Sequence, residues 1–265
     1  MYEFHKDKSR YFDMQYKTGR DYILPFITDL LPRREQLHIL EIGCAEAGVL
    51  KAFTELGHKC VGIELSEWRT ALAKKYMQKE IREGLISFLN RDILEINPSE
   101  EFKDLFDVVI LKDVIEHINN QEEFIKTLKK FIDPDGIVFF GFPPWYMPFG
   151  GHQQIAHNKW LSKLPYFHLL PKPVYKWVLK IAGEPDIKIQ GLLEIKETGI
   201  SIERFEKIVK SSGWKIEKKK YWLFNPIYKW KFGVKARRVF PLFSSIPFIR
   251  NFWTSAIYYA IKQRN

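Results

Sequence analysis

Apolar positions along the chain fall into two patterns. Short, mostly apolar runs occupy 39–42 (ILEI), 60–64 (CVGIE), 86–90 (ISFLN), 107–111 (DVVIL) and 137–142 (IVFFGF). Runs this brief and this continuously apolar suit strands buried on both faces. Between several of them, apolar residues recur at helical spacing. Val49, Leu50, Phe53 and Leu56 mark one helix face before Gly57, and Leu72, Ala73 and Tyr76 mark another behind Ser66 as N-cap. Phe124, Leu128 and Phe131 mark a third, over about 120–131, before a turn at Asp133-Pro134-Asp135-Gly136. Alternation of this kind predicts right-handed crossovers and an α/β fold with a mainly parallel, doubly wound sheet covered on both sides. Ligands of such sheets bind at the carboxyl ends of the strands.

The rest of the chain extends this core. Residues 1–36 predict an N-terminal helical lid in which Tyr11, Tyr16 and Arg20 either cover a ligand or simply pack. Residues 37–142 form the ligand-binding core. Residues 143–200, rich in proline, histidine and aromatics, read as a substrate-cap insertion after the fifth strand, where loops commonly carry function. Residues 201–265 predict a helix from Ser201 to Ser212 and two strand-like segments flanking a basic aromatic stretch. With 265 residues, 46% of them hydrophobic, the whole is read as one domain.

Charge adds a possible partner. The net charge is +10, and within 214–238 the cations Lys215, Lys218, Lys219, Lys220, Lys229, Lys231, Lys235, Arg237 and Arg238 face only Glu217. Interleaved with Trp222, Phe224, Tyr228, Trp230 and Phe232, they suit peripheral contact with an anionic membrane; RNA phosphate and a plain solvated hairpin are the alternatives. Cys44 and Cys60 form no CxxC pair, and the charged start MYEFHKDKSR lacks the apolar stretch of a signal peptide. A cytoplasmic protein, with or without peripheral membrane attachment, is expected.

The candidate chemistry sits at the strand ends. Glu41 closes the first strand, and Gly43, Cys44, Ala45, Ala47 and Gly48 make a narrow turn whose backbone a ligand can approach. Glu64 ends the second strand, where a carboxylate can accept hydrogen bonds from both hydroxyls of a ribose. Asp92 and Ile93 follow the third strand and suit an adenine edge and ring face. The fourth, FDVVILKDVIEHI, runs through Lys112 into a polar turn. The GxGxxG spacing of a dehydrogenase is absent.

In this combination the chain resembles the class I S-adenosylmethionine-dependent methyltransferases, especially the small-molecule group with a DVIEHI-like segment, over about residues 37–142. The resemblance implies a Rossmann-like sheet of seven strands, the last antiparallel. It also implies S-adenosyl-L-methionine as cofactor, with Glu41, Gly43 and the Cys44 to Gly48 turn at its methionine part and Glu64 at the ribose. Leu65 would lie on the adenine, Asp92 and Ile93 at its edge, and the Lys112 backbone at the amino group. That family's turn usually carries glycine where this chain has Ala45, and often where it has Ala47, so a slightly reshaped turn is expected.

For the reaction, methyl transfer to a hydroxyl of a small-molecule, lipid-linked or glycan acceptor is expected, with His152 and His117 as the candidate catalytic residues. His152, after Gly150 and Gly151, reads either as a general base or as a residue that hydrogen-bonds the cap to the sheet. Some methyltransferases with a similar acid-x-x-Glu-His segment hold a metal there. Asp113, Glu116 and His117 would be the corresponding donors, yet the plainer expectation is that they shape the loop and that no metal is used. A metal-assisted RNA ribose 2′-O-methyltransferase and a non-catalytic cofactor-binding scaffold are the alternatives.

Overall fold

The computed structural model describes residues 7–264, so the first residues of the expected lid lie outside it. Eight strands form one mixed sheet: β1 (His38–Ile42), β2 (Lys59–Ile63), β3 (Ile86–Leu89), β4 (Phe106–Lys112), β5 (Ile132–Phe142), β6 (Trp214–Phe224), β7 (Arg237–Arg238) and β8 (Ala256–Gln263). Their order is β3-β2-β1-β4-β5-β8-β6-β7. Strands β1 to β5 pair in parallel, and β8 runs antiparallel between β5 and β6. The expected sheet of seven strands is extended by β7. Arg237 and Arg238 pair with Phe224 and Trp222, because the free edge of β6 offers unpaired backbone groups to the returning chain.

The two faces of each central strand feed separate cores. On one face Leu40, Val109, Leu111, Val138 and Phe140 pack with Phe124 and Phe205, which come from the Gln121–Thr127 and Ile202–Ser211 helices. On the other, Ile39, Val108, Ile110 and Phe139 pack with Phe26, Leu50 and Phe53. The helix starts follow local chemistry: the Asn120 side chain accepts from Glu123 N–H, and that of Ser201 from Arg204 N–H. Ser66 occupies the predicted N-cap position of the Glu67–Tyr76 helix, but its side chain makes no capping bond. Residues 133–136, expected as a turn, lie inside β5 as an excursion that shifts its register on β4 between Phe106 and Val108.

The segment 143–200 has a small core of its own. Its helices, Lys172–Ile181 and Asp186–Thr198, enclose Phe167, Tyr175, Leu179, Ile189 and Leu192. Hydrogen bonds join its end to the turn that follows β4. Gln121 Nε2 donates to Thr198 O (2.6 Å) and Ile115 O (3.0 Å), while the Thr198 hydroxyl donates to Glu116 O (2.6 Å).

The N-terminal Lys8–Thr18 helix crosses the start of the Gly48–Thr54 helix. A methyl group at Gly48 would collide with the Phe12 carbonyl and lie 2.7 Å from Gln15 Cβ. Gly48→Ala is therefore expected to destabilise the protein by about 1–3 kcal/mol, as overpacking does. A lowered urea midpoint with an unchanged slope is the result to look for.

Candidate active site

At the carboxyl end of β1 the chain turns sharply. The N–H groups of Gly43 and Cys44 both donate to Ile63 O (2.8 and 3.1 Å), which ties the turn to β2. Gly43, Ala45 and Ala47 adopt φ of 71°, 52° and 66°, so the two alanines enter the left-handed region that glycine would occupy more easily. Each costs about 1–2 kcal/mol of steric strain. Glu64 helps to hold the strained loop: its Oε2 accepts from Ala45 N–H and its Oε1 from Ser66 N–H, both at 2.9 Å.

Two cavities open against this turn. The larger, about 520 Å³, is lined by Gly43, Glu64, Leu65, Asp92, Ile93 and His117. The smaller, about 70 Å³, is lined by Glu41, Gly43, Cys44, Ala45, Lys112 and Asp113, with Tyr11 and Arg69. Of the residues expected around a cofactor, all border one cavity or the other except Glu46, Ala47 and Gly48 at the end of the turn; the bare position 48 is explained otherwise. Its missing side chain makes room for the N-terminal helix instead.

Charge inside the small cavity is mixed. Glu41 is buried, its Oε2 has no hydrogen-bond partner, and burial pushes its carboxyl well above the usual range. Burial alone would lower the Lys112 pKa, but the adjacent Asp113 carboxylate, paired with the ammonium, raises it. Carboxyl groups and cations thus meet within a few residues. They fit a ligand whose one end carries both an ammonium and a carboxylate. In the larger cavity, each Glu64 oxygen keeps lone-pair capacity for a hydroxyl donor, and Leu65 and Ile93 offer apolar surface to a flat ring.

Beyond Asp113 lies a third cavity, about 250 Å³, lined by Tyr11, Asp113, Glu116, His152, Tyr228 and Lys231. One donor atom from each of Glu116, His117 and His152 lies within 4.8 Å of the others, and the two imidazole rings meet edge to face at 5.0 Å. Glu116 is buried with both carboxylate oxygens unpartnered. Burial, reinforced by Asp113, raises its pKa well above the carboxylate range. Burial and the neighbouring His117 lower that of His152 to about 4. Two histidines predicted on separate loops are therefore adjacent. Asp113, the third expected donor, turns instead to Lys112, its φ of 57° set by an N–H bond to Gly141 O at 2.7 Å.

The loop that presents His152 is braced from below. His168 is fully buried against Gly151; its Nε2–H donates to Trp145 O (2.7 Å) and its Nδ1 accepts from Gln153 Nε2 (3.4 Å). Burial lowers its pKa to about 4, consistent with the neutral ring these bonds require.

The basic aromatic stretch divides between surface and site. Lys218 pairs with Asp29, Lys219 with Glu206 and Lys215 with Glu217, while Trp222, expected at an interface, is buried against Tyr22 and Tyr258. Lys231, read from the sequence as one cation among many, enters the third cavity. Burial and then Lys112 lower its pKa to about 8. The Asn225-Pro226 break after β6 is the signal that the chain turns inward there. An apolar cavity of about 560 Å³ adjoins on the same side, lined by Met147, Phe149, Tyr166, Phe232, Phe252 and Trp253.

A parallel sheet with an antiparallel strand inserted beyond β5, and ligand-sized cavities at its carboxyl edge, has the architecture of the class I S-adenosylmethionine-dependent methyltransferases. Residues 14–176 match the family described as methyltransferase domain, more than half of the chain, and the protein belongs to that family. A solved S-adenosylmethionine-dependent methyltransferase from Clostridium acetobutylicum superposes with a TM-score of 0.56 at 12% identity, covering 94% of this chain and 92% of its own. The magnesium protoporphyrin IX methyltransferase of Synechocystis gives 0.52 at 13% identity, covering 95% and 84%. Among curated proteins, the ubiquinone biosynthesis O-methyltransferase of Rhodopseudomonas palustris is 33% identical over 104 residues, 39% of each chain. That of Rickettsia canadensis is 30% identical over 118 residues, 44% of this chain and 47% of its own. The match thus spans less than half the length of these curated relatives.

The two low histidine pKa values give stability a pH dependence. An unfolded chain protonates these rings near the ordinary 6.5, the folded one only near 4, so the unfolded state binds more protons between those values. The stabilisation is complete above about pH 6.5 and falls as the pH drops toward 4, by on the order of 3 kcal/mol for each ring. Urea midpoints measured between pH 7 and pH 4.5 are expected to drop, with a shallower fall in His168→Gln.

Proposed function

We propose that this protein transfers the methyl group of S-adenosylmethionine to a hydroxyl oxygen of a small acceptor that carries an apolar chain. The observation that carries the reading is the adjacency of three spaces. The reaction cavity shares Tyr11 and Asp113 with the cofactor-type cavity, and Met147, Phe149, Tyr228 and Phe232 with the apolar one. The O-methyltransferase names of the curated relatives support oxygen as the acceptor atom. Largely apolar walls favour an amphipathic molecule over RNA.

In the reaction a hydroxyl lone pair attacks the methyl carbon while the carbon–sulfur bond breaks, leaving a neutral thioether and a proton to be removed. Alignment supplies much of the acceleration in such a displacement. His152, neutral near pH 7, would accept the acceptor O–H and fix its direction. Glu116, whose raised pKa favours the protonated carboxyl, would donate a hydrogen bond to the acceptor oxygen, and the released proton would leave through the His152 ring to solvent. Lys231 and Tyr228 on the opposite wall would hold polar groups of the acceptor.

The Glu116, His117 and His152 cluster favours a second reading, in which these donors hold a divalent ion. An unpartnered buried carboxylate and two imidazoles with lowered pKa values form an oxygen and nitrogen set suited to a borderline metal, with His152 in place of the expected Asp113. A bound ion would lower the pKa of an acceptor hydroxyl. His152 would then serve as a ligand rather than a base.

Labelled methyl transfer to phenols and alcohols, with and without a long alkyl chain, tests the acceptor class. A KM lower by tenfold or more for the chain-bearing member is expected, and no transfer to any hydroxyl would overturn the reading. The same assay after chelation separates the metal readings: loss of turnover and recovery with one divalent ion supports the cluster as ligands, while unchanged turnover returns His152 to the acid–base role. Calorimetry tests the cofactor site independently. Glu64→Ala is expected to weaken S-adenosylmethionine binding by about 1–3 kcal/mol, the cost of a lost charged hydrogen-bonding group.

A further inference from the structure

The chain between β7 and β8 has its amphipathicity turned outward. Arg250 is buried, with Nε donating to Glu203 (2.8 Å) and Nη2 to Glu206 (3.1 Å), and Asn251 donates to Glu203 (2.6 Å) and accepts from Ile202 N–H (2.9 Å). These inward polar contacts mount the short Ile249–Trp253 helix on the Ile202–Ser211 helix, and the Pro241–Ser245 helix packs on the former through Phe243 and Trp253. The side chains left outside are mainly apolar. Phe240 and Phe248 are each 65% exposed and Leu242 61%; Phe243 and Trp253, stacked at 5.1 Å, are exposed beside them. A contiguous apolar surface of this kind marks an interaction site.

We propose that residues 240–253 form a peripheral docking surface for an anionic lipid bilayer. Charge selects that occupant. No Asp or Glu occurs from residue 218 to the last residue, and Lys235, Arg237 and Arg238 are exposed immediately before the patch. A second copy would bring the same cations and the same net charge of +10 to the contact, whereas anionic headgroups neutralise them. Phe and Trp suit the boundary between headgroups and acyl chains. No described helix is long and apolar enough to cross a membrane, so the contact lies at the surface. Phe252 and Trp253 also line the apolar cavity beside the reaction cavity, so a bilayer-dissolved molecule would reach the site without crossing water. Unlike the cations of β6, which are largely engaged with acidic side chains, those beside the patch extend the apolar face.

The full chain is floated with vesicles of phosphatidylglycerol and phosphatidylcholine, and with vesicles of phosphatidylcholine alone. Wild type is expected to float with the mixed vesicles and to be released by salt. The triple variant Phe240→Ser, Leu242→Ser, Ile249→Ser should bind at least tenfold more weakly, and Arg237→Gln and Arg238→Gln about fivefold each. S-adenosylmethionine calorimetry on the same samples reports the fold and the cofactor site, so a failed methyltransferase reading and a failed docking surface are told apart. Wild type that stays unbound, or a triple variant that floats equally, overturns the proposal. So does a lipid-free wild-type dimer, seen by sedimentation velocity, that the triple variant dissolves, since the face then belongs to a second copy.

Discussion

Burial of the central strands on both faces is the constraint from which the site follows. Every residue of β4 from Phe106 to Lys112 is buried, and its neighbours β1 and β5 are nearly as enclosed. A strand in that position has no solvent-facing side on which to carry chemistry. Its polar groups emerge where pairing stops, so Glu41, Glu64, Lys112 and Asp113 gather along one edge. The crossover helices return the chain below the sheet each time, and the ends therefore accumulate on the same side.

Along that edge the electrostatics divide into two neighbouring regimes. Around Lys112 and Asp113 opposite charges are held together, which keeps both ionised despite burial. A few residues further on, Glu116, His117 and His152 have no such counter-charge, and burial favours their uncharged forms. An ion-pair wall thus stands beside a protonated carboxyl and two neutral imidazoles. Lys231 closes the opposite side with an ammonium whose proton is held more loosely than on an exposed lysine.

The core strands were legible because two-sided burial leaves a simple trace: short runs such as DVVIL with little polar interruption. The turn after β1 was equally readable, as were the acids that follow β2 and β3, since spacing alone places them at strand ends. Gly48 shows the limit of that reasoning, because a bare backbone position is demanded as readily by a crossing helix as by a ligand. The pairing of His117 with His152 spans two loops joined only through tertiary structure, and no local period announces it. Helices in 143–200 were hidden by proline and aromatic content typical of loops. The charge of their neighbours points Trp222 and Lys231 to the surface, whereas Trp222 faces the core from within β6 and the break at Asn225-Pro226 turns Lys231 into the cavity.

The Thr198 clasp gives the insertion segment a mechanical role. Its hydroxyl holds the Glu116 carbonyl, and the Thr198 carbonyl is held by Gln121, so the last turn of the Asp186–Thr198 helix and the loop bearing Glu116 share one set of bonds. Displacing that helix end by an ångström or two cannot leave Glu116 behind without stranding buried polar groups. Any shift of the segment is therefore relayed to the Glu116 loop, and the spacing of Glu116 from His117 and His152 holds only while the clasp is intact.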